Sequence, residues 1–250
     1  MKSRAFLILL HGTAMTGAQW APYAALLSDV ADVQAPDLPA HGTRAAQAFS
    51  MAAAMATVEP LIAAAGRQPV VLAGHSLGGY VAMAVAERHP DALAGLVLIG
   101  SAAEPGGRGS GLYRALARGY DWLGPQRMAR ISRQSLRRMV DARVWPALDA
   151  GGFYYGAVTP AWTAVMASSR LAQLRAVRCP VLVLGGAWDQ LHVHARRCAA
   201  AAPQGRVVTA SRRHHLWPMT HPDEVAAELR AFIQQSPEPA SVGAPAASVM

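Results

Sequence analysis

Val70-Val71-Leu72-Ala73-Gly74-His75-Ser76-Leu77-Gly78-Gly79-Tyr80 sets four apolar residues against a Gly-x-Ser-x-Gly pattern, which runs on into a helical pattern. A short continuous apolar run suits a strand covered by helices on both faces. Leu77 to Arg88 then reads as a helix that stops before Pro90. A serine caught between such a strand and such a helix must turn sharply, in a strained backbone conformation. Gly74 and Gly78 leave room for that turn because they lack a Cβ, and Gly79 lets the helix lie close to the sheet. The turn also leaves the Leu77 N–H, at the helix start, pointing at the reacting atom. The bare pattern arises by chance, but a strand before it and a helix after it make Ser76 a candidate nucleophile.

Outward from this segment, apolar β-branched runs alternate with helical patterns, which predicts βα units and a mostly parallel twisted sheet with helices on both faces. The expected strands are Ala5–Leu10, Val33–Ala35, Val70–Ala73, Leu96–Ile99, Val181–Leu184 and Arg206–Thr209. Ser50 is placed to cap a helix that ends near Gly66, with a kink at Pro60. A last helix starts at Pro222, has Asp223 and Glu224 in its first turn, and repeats Val225, Leu229 and Ile233 as a core stripe. The stretch 104–177 breaks the alternation. It is Gly-rich, then helical and Arg-rich, and reads as an inserted helical cap between two core segments, 1–103 and 178–235. The Pro-rich small-residue tail 236–250 cannot bury much surface and is expected to be disordered.

At 250 residues and 52% hydrophobic composition, the chain suffices for one α/β core. No apolar run reaches the roughly 18 residues of a membrane span. The apolar stretch after Met1-Lys2-Ser3-Arg4 stops at His11-Gly12, too short for a signal-peptide core, so it reads as a buried strand. Two cysteines, Cys179 and Cys198, stand in no metal spacing and suit buried small side chains in a reducing cytoplasm. The net charge of +8 is localised: between Glu104 and Arg178 there are 12 Arg against four acids, and the rest of the chain balances. Such a segment either solvates helix faces or steers an anionic substrate or partner. No nucleic-acid motif accompanies it.

Several motifs together make the chain resemble the α/β-hydrolase family over residues 5–235. They are Leu10-His11-Gly12-Thr13 after the first strand, Pro36-Asp37-Leu38-Pro39-Ala40-His41-Gly42 after the second, the elbow around Ser76, Gly185-Gly186-Ala187-Trp188-Asp189 after a late strand, and a histidine near the end. The order Ser, Asp, His is the one this fold uses. The resemblance implies an oxyanion hole from the backbone N–H groups of Thr13 and Leu77, and a triad of Ser76, Asp189 and a histidine that needs no cofactor and no metal. Counting back from Pro222 selects His215 as base, with His214 in the place where the family usually has glycine; His214 remains the rival. Glu104 is the rival acid and reads as the start of the cap. The family's first two strands are missing ahead of Ala5. If its strand order holds, the strand at Val33–Ala35 becomes a sheet edge, open to pairing in a homodimer unless the true start lies upstream.

The implied reaction is hydrolysis of a carboxylic ester or lactone through an acyl-enzyme. A thioesterase or carbon–carbon bond hydrolase on the same triad is the alternative, and a non-catalytic receptor of this fold is a third reading. The expected partner is a small-molecule ester, and an anionic one suits the basic cap. Trp122, Trp145, Phe153, Tyr154, Tyr155 and Trp162 either line an acyl pocket or pack the cap. His11 and His41 belong to turns and are expected to bond backbone. His75 occupies a variable elbow position. His192 and His194 near Asp189 read as a loop rather than a metal site.

Overall fold

The computed structural model of the chain describes residues 3–106 and 110–236. The tail expected to be disordered therefore lies, apart from Ser236, outside the described residues. Six strands form one parallel sheet in the order β2-β1-β3-β4-β5-β6: β1 Ala5–Leu10, β2 Ala31–Gln34, β3 Val70–His75, β4 Gly95–Ile99, β5 Val181–Gly186 and β6 Gly205–Ala210. The helices are α1 Tyr23–Leu26, α2 Met51–Ala64, α3 Leu77–Arg88, α4 Ser110–Leu123, α5 Pro125–Leu136, α6 Trp145–Gly151, α7 Val158–Ser168, α8 Ala195–Ala201, α9 Trp217–Thr220 and α10 Pro222–Gln235.

The four central strands β1, β3, β4 and β5 are buried and almost wholly apolar because both of their faces are covered, and their side-chain alternation sorts the core into two layers. Ile8, Leu10, Leu72, Leu96, Leu98, Val181 and Val183 face the layer of α2, α3 and α8. Leu7, Leu9, Val71, Val97, Ile99, Leu182 and Leu184 face Trp20, Tyr23 and the α10 stripe of Val225, Leu229 and Ile233. Ser50 Oγ accepts from Ala53 N, capping α2 as expected, and the helix continues through Pro60. β2 begins two residues earlier than the sequence indicates. Its polar residues Asp32 and Gln34 are tolerated because β2 is an edge, where Asp32 pairs with Arg4 and Gln68. β3 and β5 run longer than their apolar cores, since their carboxyl ends, Gly74-His75 and Gly185-Gly186, lead into the loops above the sheet; β6 extends by one residue at each end.

Between β4 and β5 the described residues hold only helices, α4 to α7, with short 3-10 turns. This excursion sits over the carboxyl ends of the strands. Leu136, Val140, Val144 and Leu148 pack with Met219, and Asp141 N donates to the Met219 carbonyl. Trp162 Nε1 donates to Thr13 Oγ1, and Tyr154 N to the Ala14 carbonyl. Cys179 and Cys198 are free and buried, and burial pushes their thiols up to about 11 and about 12.

Candidate active site

Ser76 stands between β3 and α3 at φ 52°, ψ −115°. For a residue with a Cβ that conformation costs roughly 1–3 kcal/mol at such sites. The surroundings hold it there: Ser76 N donates to the Ile99 carbonyl and Gly78 N to the His11 carbonyl. A Cβ at Gly74 would lie 2.2 Å from Gly78, and one at Gly78 would lie 2.4 Å from the Leu10 carbonyl, so the turn closes only with glycine at both positions. Ser76 is partly exposed, and its Oγ makes no hydrogen bond among the described residues.

Asp189 follows β5 and His215 follows β6. Backbone bonds from Ala187 N to the Ala210 carbonyl and from Trp188 N to the Arg213 carbonyl zip the two loops together. Asp189 Oδ1 meets His215 Nδ1 at 2.9 Å and also accepts from Leu191 N at 2.8 Å. The Asp189 side chain is 2% exposed and that of His215 19%. Burial alone would raise the Asp189 carboxyl. The hydrogen bond and charge of His215, with the Leu191 amide, outweigh it and hold the carboxyl below its ordinary range. His214 points elsewhere: its Nδ1 accepts from Leu216 N, so His215 is the histidine that meets Asp189. The loop bearing His215 is clamped from behind, where Arg213 and Trp217 Nε1 both bond Glu224 of α10.

The backbone amides around Thr13 and Leu77 are informative by contrast. Gly12 N donates to Gln19 Oε1, Ala14 N to His41 Nε2 and Gly78 N to the His11 carbonyl. The N–H groups of Thr13 and Leu77, between these, have no acceptor among the described residues. His11 and His41 brace this loop. His11 Nε2 accepts from Leu38 N, and its Nδ1 bonds the Gly12 carbonyl. His41 Nδ1 bonds the Pro39 carbonyl. Burial drives His11 down to about 3 and lowers His41, so both stay neutral.

The chain belongs to the alpha/beta hydrolase family. The model of that family matches residues 7–228. The chain is 35% identical over 120 residues to lipase LipV of Mycobacterium tuberculosis, a match covering 47% of this chain and 46% of LipV. It is 35% identical over 99 residues to a pimeloyl-[acyl-carrier protein] methyl ester esterase of Aromatoleum aromaticum, covering 40% of this chain and 38% of the esterase. These matches span less than half the length of either curated relative. A solved thermophilic esterase from Thermogutta terrifontis superposes with a TM-score of 0.73 at 25% identity, covering 94% of this chain and 91% of that one.

Within this alpha/beta hydrolase, three neighbours of the site are invisible to sequence reasoning. Gly100, at φ +56°, leaves space that a Cβ would fill at 2.6 Å from Asp189 Oδ2 and 3.0 Å from His215 Nδ1. Only its position one residue past β4 hints at a role. Gln19 carries no signal, and His75 sits at an elbow position that reads as variable. The other candidates disperse. His192 N donates to the Asp189 carbonyl, but its ring Nε2 bonds Thr209 Oγ1; His194 Nδ1 accepts from Glu104 N, and Glu104 Oε1 accepts from Leu171 N. Among the aromatics, Trp122 is 84% exposed and lines no pocket, because it faces solvent from the end of α4. Trp145 and Phe153 pack on the α5–α6 apolar cluster. Tyr154, Tyr155 and Trp162 stay nearer the site, with Tyr154 edge-on to His41 and Tyr120 edge-on to both Tyr155 and Trp162.

Proposed function

We propose that the protein is a serine hydrolase that cleaves a carboxylic ester or lactone through Ser76, His215 and Asp189. The observation that carries this reading is the buried 2.9 Å Asp189–His215 bond beside a serine held at positive φ. In the proposed cycle Ser76 Oγ attacks the carbonyl carbon and His215 Nε2 takes its proton. Asp189 accepts from Nδ1–H and stabilises the imidazolium that forms. The carbonyl oxygen becomes an oxyanion that accepts from the two free N–H groups of Thr13 and Leu77. The protonated leaving group departs, and a water activated by His215 releases the acyl group from Ser76. The Ser76–His215 hydrogen bond forms as substrate orders the site, since such bonds often tighten only in the Michaelis complex.

Ester cleavage is preferred over thioester or carbon–carbon cleavage on the same triad because the relatives that match at 35% identity carry lipase and methyl ester esterase names. The acyl group lies against Tyr154 and Trp162, next to Thr13. On α5, Arg127 and Arg130, with Arg137 and Arg138 just beyond it, have no acidic side chain within salt-bridge distance among the described residues, and they favour an anionic substrate. The test is labelling with a fluorophosphonate probe, mapped by peptide mass spectrometry. An adduct on Ser76, lost in Ser76→Ala, is expected. Folded wild-type protein that takes no label would overturn the assignment.

A further inference from the structure

His75 is 2% exposed and Gln19 is fully buried, and the proposed reaction uses neither. His75 Nε2 lies 2.9 Å from the His215 carbonyl, and its Nδ1 lies 3.4 Å from Gln19 Nε2. Gln19 Oε1 accepts from Gly12 N at 3.0 Å. The polarity of this chain is forced at every link. A carbonyl can only accept, so Nε2 carries the ring proton, and the neutral ring offers Nδ1 as a lone pair. Only the amide NH2 of Gln19 can meet that lone pair, which turns Oε1 toward the Gly12 N–H. Reversing any group leaves a buried donor or acceptor unpaired, a disfavoured arrangement that the fold avoids. Burial, aided by the nearby His215, drives the His75 imidazole down to about 3, so the chain keeps one polarity across the working pH range.

The chain also has a mechanical side. A Cβ on Gly12 would lie 2.9 Å from His75 Nδ1, so the imidazole is packed directly against the backbone that leads into Thr13. Its other neighbour is the His215 ring, 4.7 Å away between centroids and tilted by 39°. The residue after His75 is Ser76 itself. One imidazole thus touches the loop bearing an oxyanion donor, the loop bearing the base, and the turn bearing the nucleophile.

We propose that Gln19 and His75 are positioning residues that tie the oxyanion loop to the base loop, so that Thr13 N–H and His215 Nε2 keep their separation across the Ser76 oxygen. The proposal rests on the triad reading above. It acts through geometry: a misplacement on the order of 1 Å at the reacting atoms can cost a factor of about 100 in rate.

The variants are His75→Phe, which keeps a ring against His215 but breaks both links, and Gln19→Leu, which breaks the chain without touching His215. With a short-chain ester, each is expected to lower kcat about tenfold with KM within twofold, and to slow fluorophosphonate inactivation by the same factor. The double variant is expected to be no slower than the slower single one, because either change breaks the same chain. His75→Gln, which can still donate and accept, is expected to recover most of kcat. Folded single variants with kcat within twofold of wild type, or a loss confined to KM, overturn the proposal while wild-type activity that disappears in Ser76→Ala keeps the triad reading intact. If wild type and Ser76→Ala are equally inert, the triad reading fails, and the coupling is judged in the resting protein. The proton NMR resonance of His215 Nδ1–H should then shift in Gln19→Leu, and an unchanged resonance overturns the coupling.

Discussion

Gly100→Ala tests the Asp189–His215 pair without altering either residue. Two effects of the substitution can be separated. The first is backbone strain: at φ +56° an alanine loses roughly 1–2 kcal/mol against glycine. The second is steric. The new methyl would sit 2.6 Å from Asp189 Oδ2, short by about 0.8 Å of the 3.4 Å at which ordinary contact begins, and 3.0 Å from His215 Nδ1. The carboxylate and imidazole must move apart or move together off their present positions. Under the proposed triad, a shift of that size costs on the order of 100-fold in rate. Gly66 provides the control, since it sits at φ +61° and a Cβ added there would meet nothing within 4 Å. Gly66→Ala should therefore lose similar stability and keep full activity. The assay is kcat/KM on a short-chain ester beside thermal melting for both variants. Gly100→Ala that is folded and within threefold of Gly66→Ala in kcat/KM would refute the reasoning, because the pair would then tolerate displacement.

Three further outcomes are expected. His215→Gln should lower kcat by at least about 1,000-fold, as loss of a triad base does, whereas His214→Gln should stay within about fivefold, because His214 bonds only local backbone; kinetics of the two variants side by side decide it. Glu224 is held down to about 2, first by its hydrogen bonds from Arg213 and against the opposing effect of burial, with Trp217 adding to the lowering. A depressed carboxylate stabilises the fold above its unfolded value near 4.5, and this contribution fades as pH falls toward 2. Melting curves should accordingly show Glu224→Gln less stable than wild type at pH 7, by about 1 kcal/mol for a partly exposed pair, with the gap closing in acid. Finally, hydrolysis of an anionic ester should slow with added salt far more than that of a neutral ester of equal chain length, if the arginines on and beside α5 steer substrate. Equal salt responses in stopped-flow kinetics would remove that role.

The elbow, the parallel sheet and the order of the candidate residues were legible in the sequence because they are local. A four-residue apolar run before Gly-x-Ser-x-Gly can hardly be anything but a covered strand feeding a tight turn, and the turn's glycines are needed by atoms within four residues or in the adjacent strand. The core stripe of α10 and the Ser50 cap follow from period and side-chain chemistry in the same way. The start of β2 was not legible, because edge position, a property of the whole sheet, licenses Asp32 and Gln34 inside a strand.

Tertiary structure alone decided the pairings across distance. His214 and His215 are chemically equal in the sequence. What separates them is the path of the loop after β6, pinned by Trp188 N on the Arg213 carbonyl and by Glu224 on Arg213 and Trp217. The aromatics of the helical excursion were likewise equal until packing put Trp122 in solvent and Trp162 on Thr13. Gly100, Gln19 and His75 gained their places beside the site only when β4, the first loop and the loop bearing His215 converged, since a clash avoided or a hydrogen bond made between residues far apart in the chain leaves no periodic trace in it.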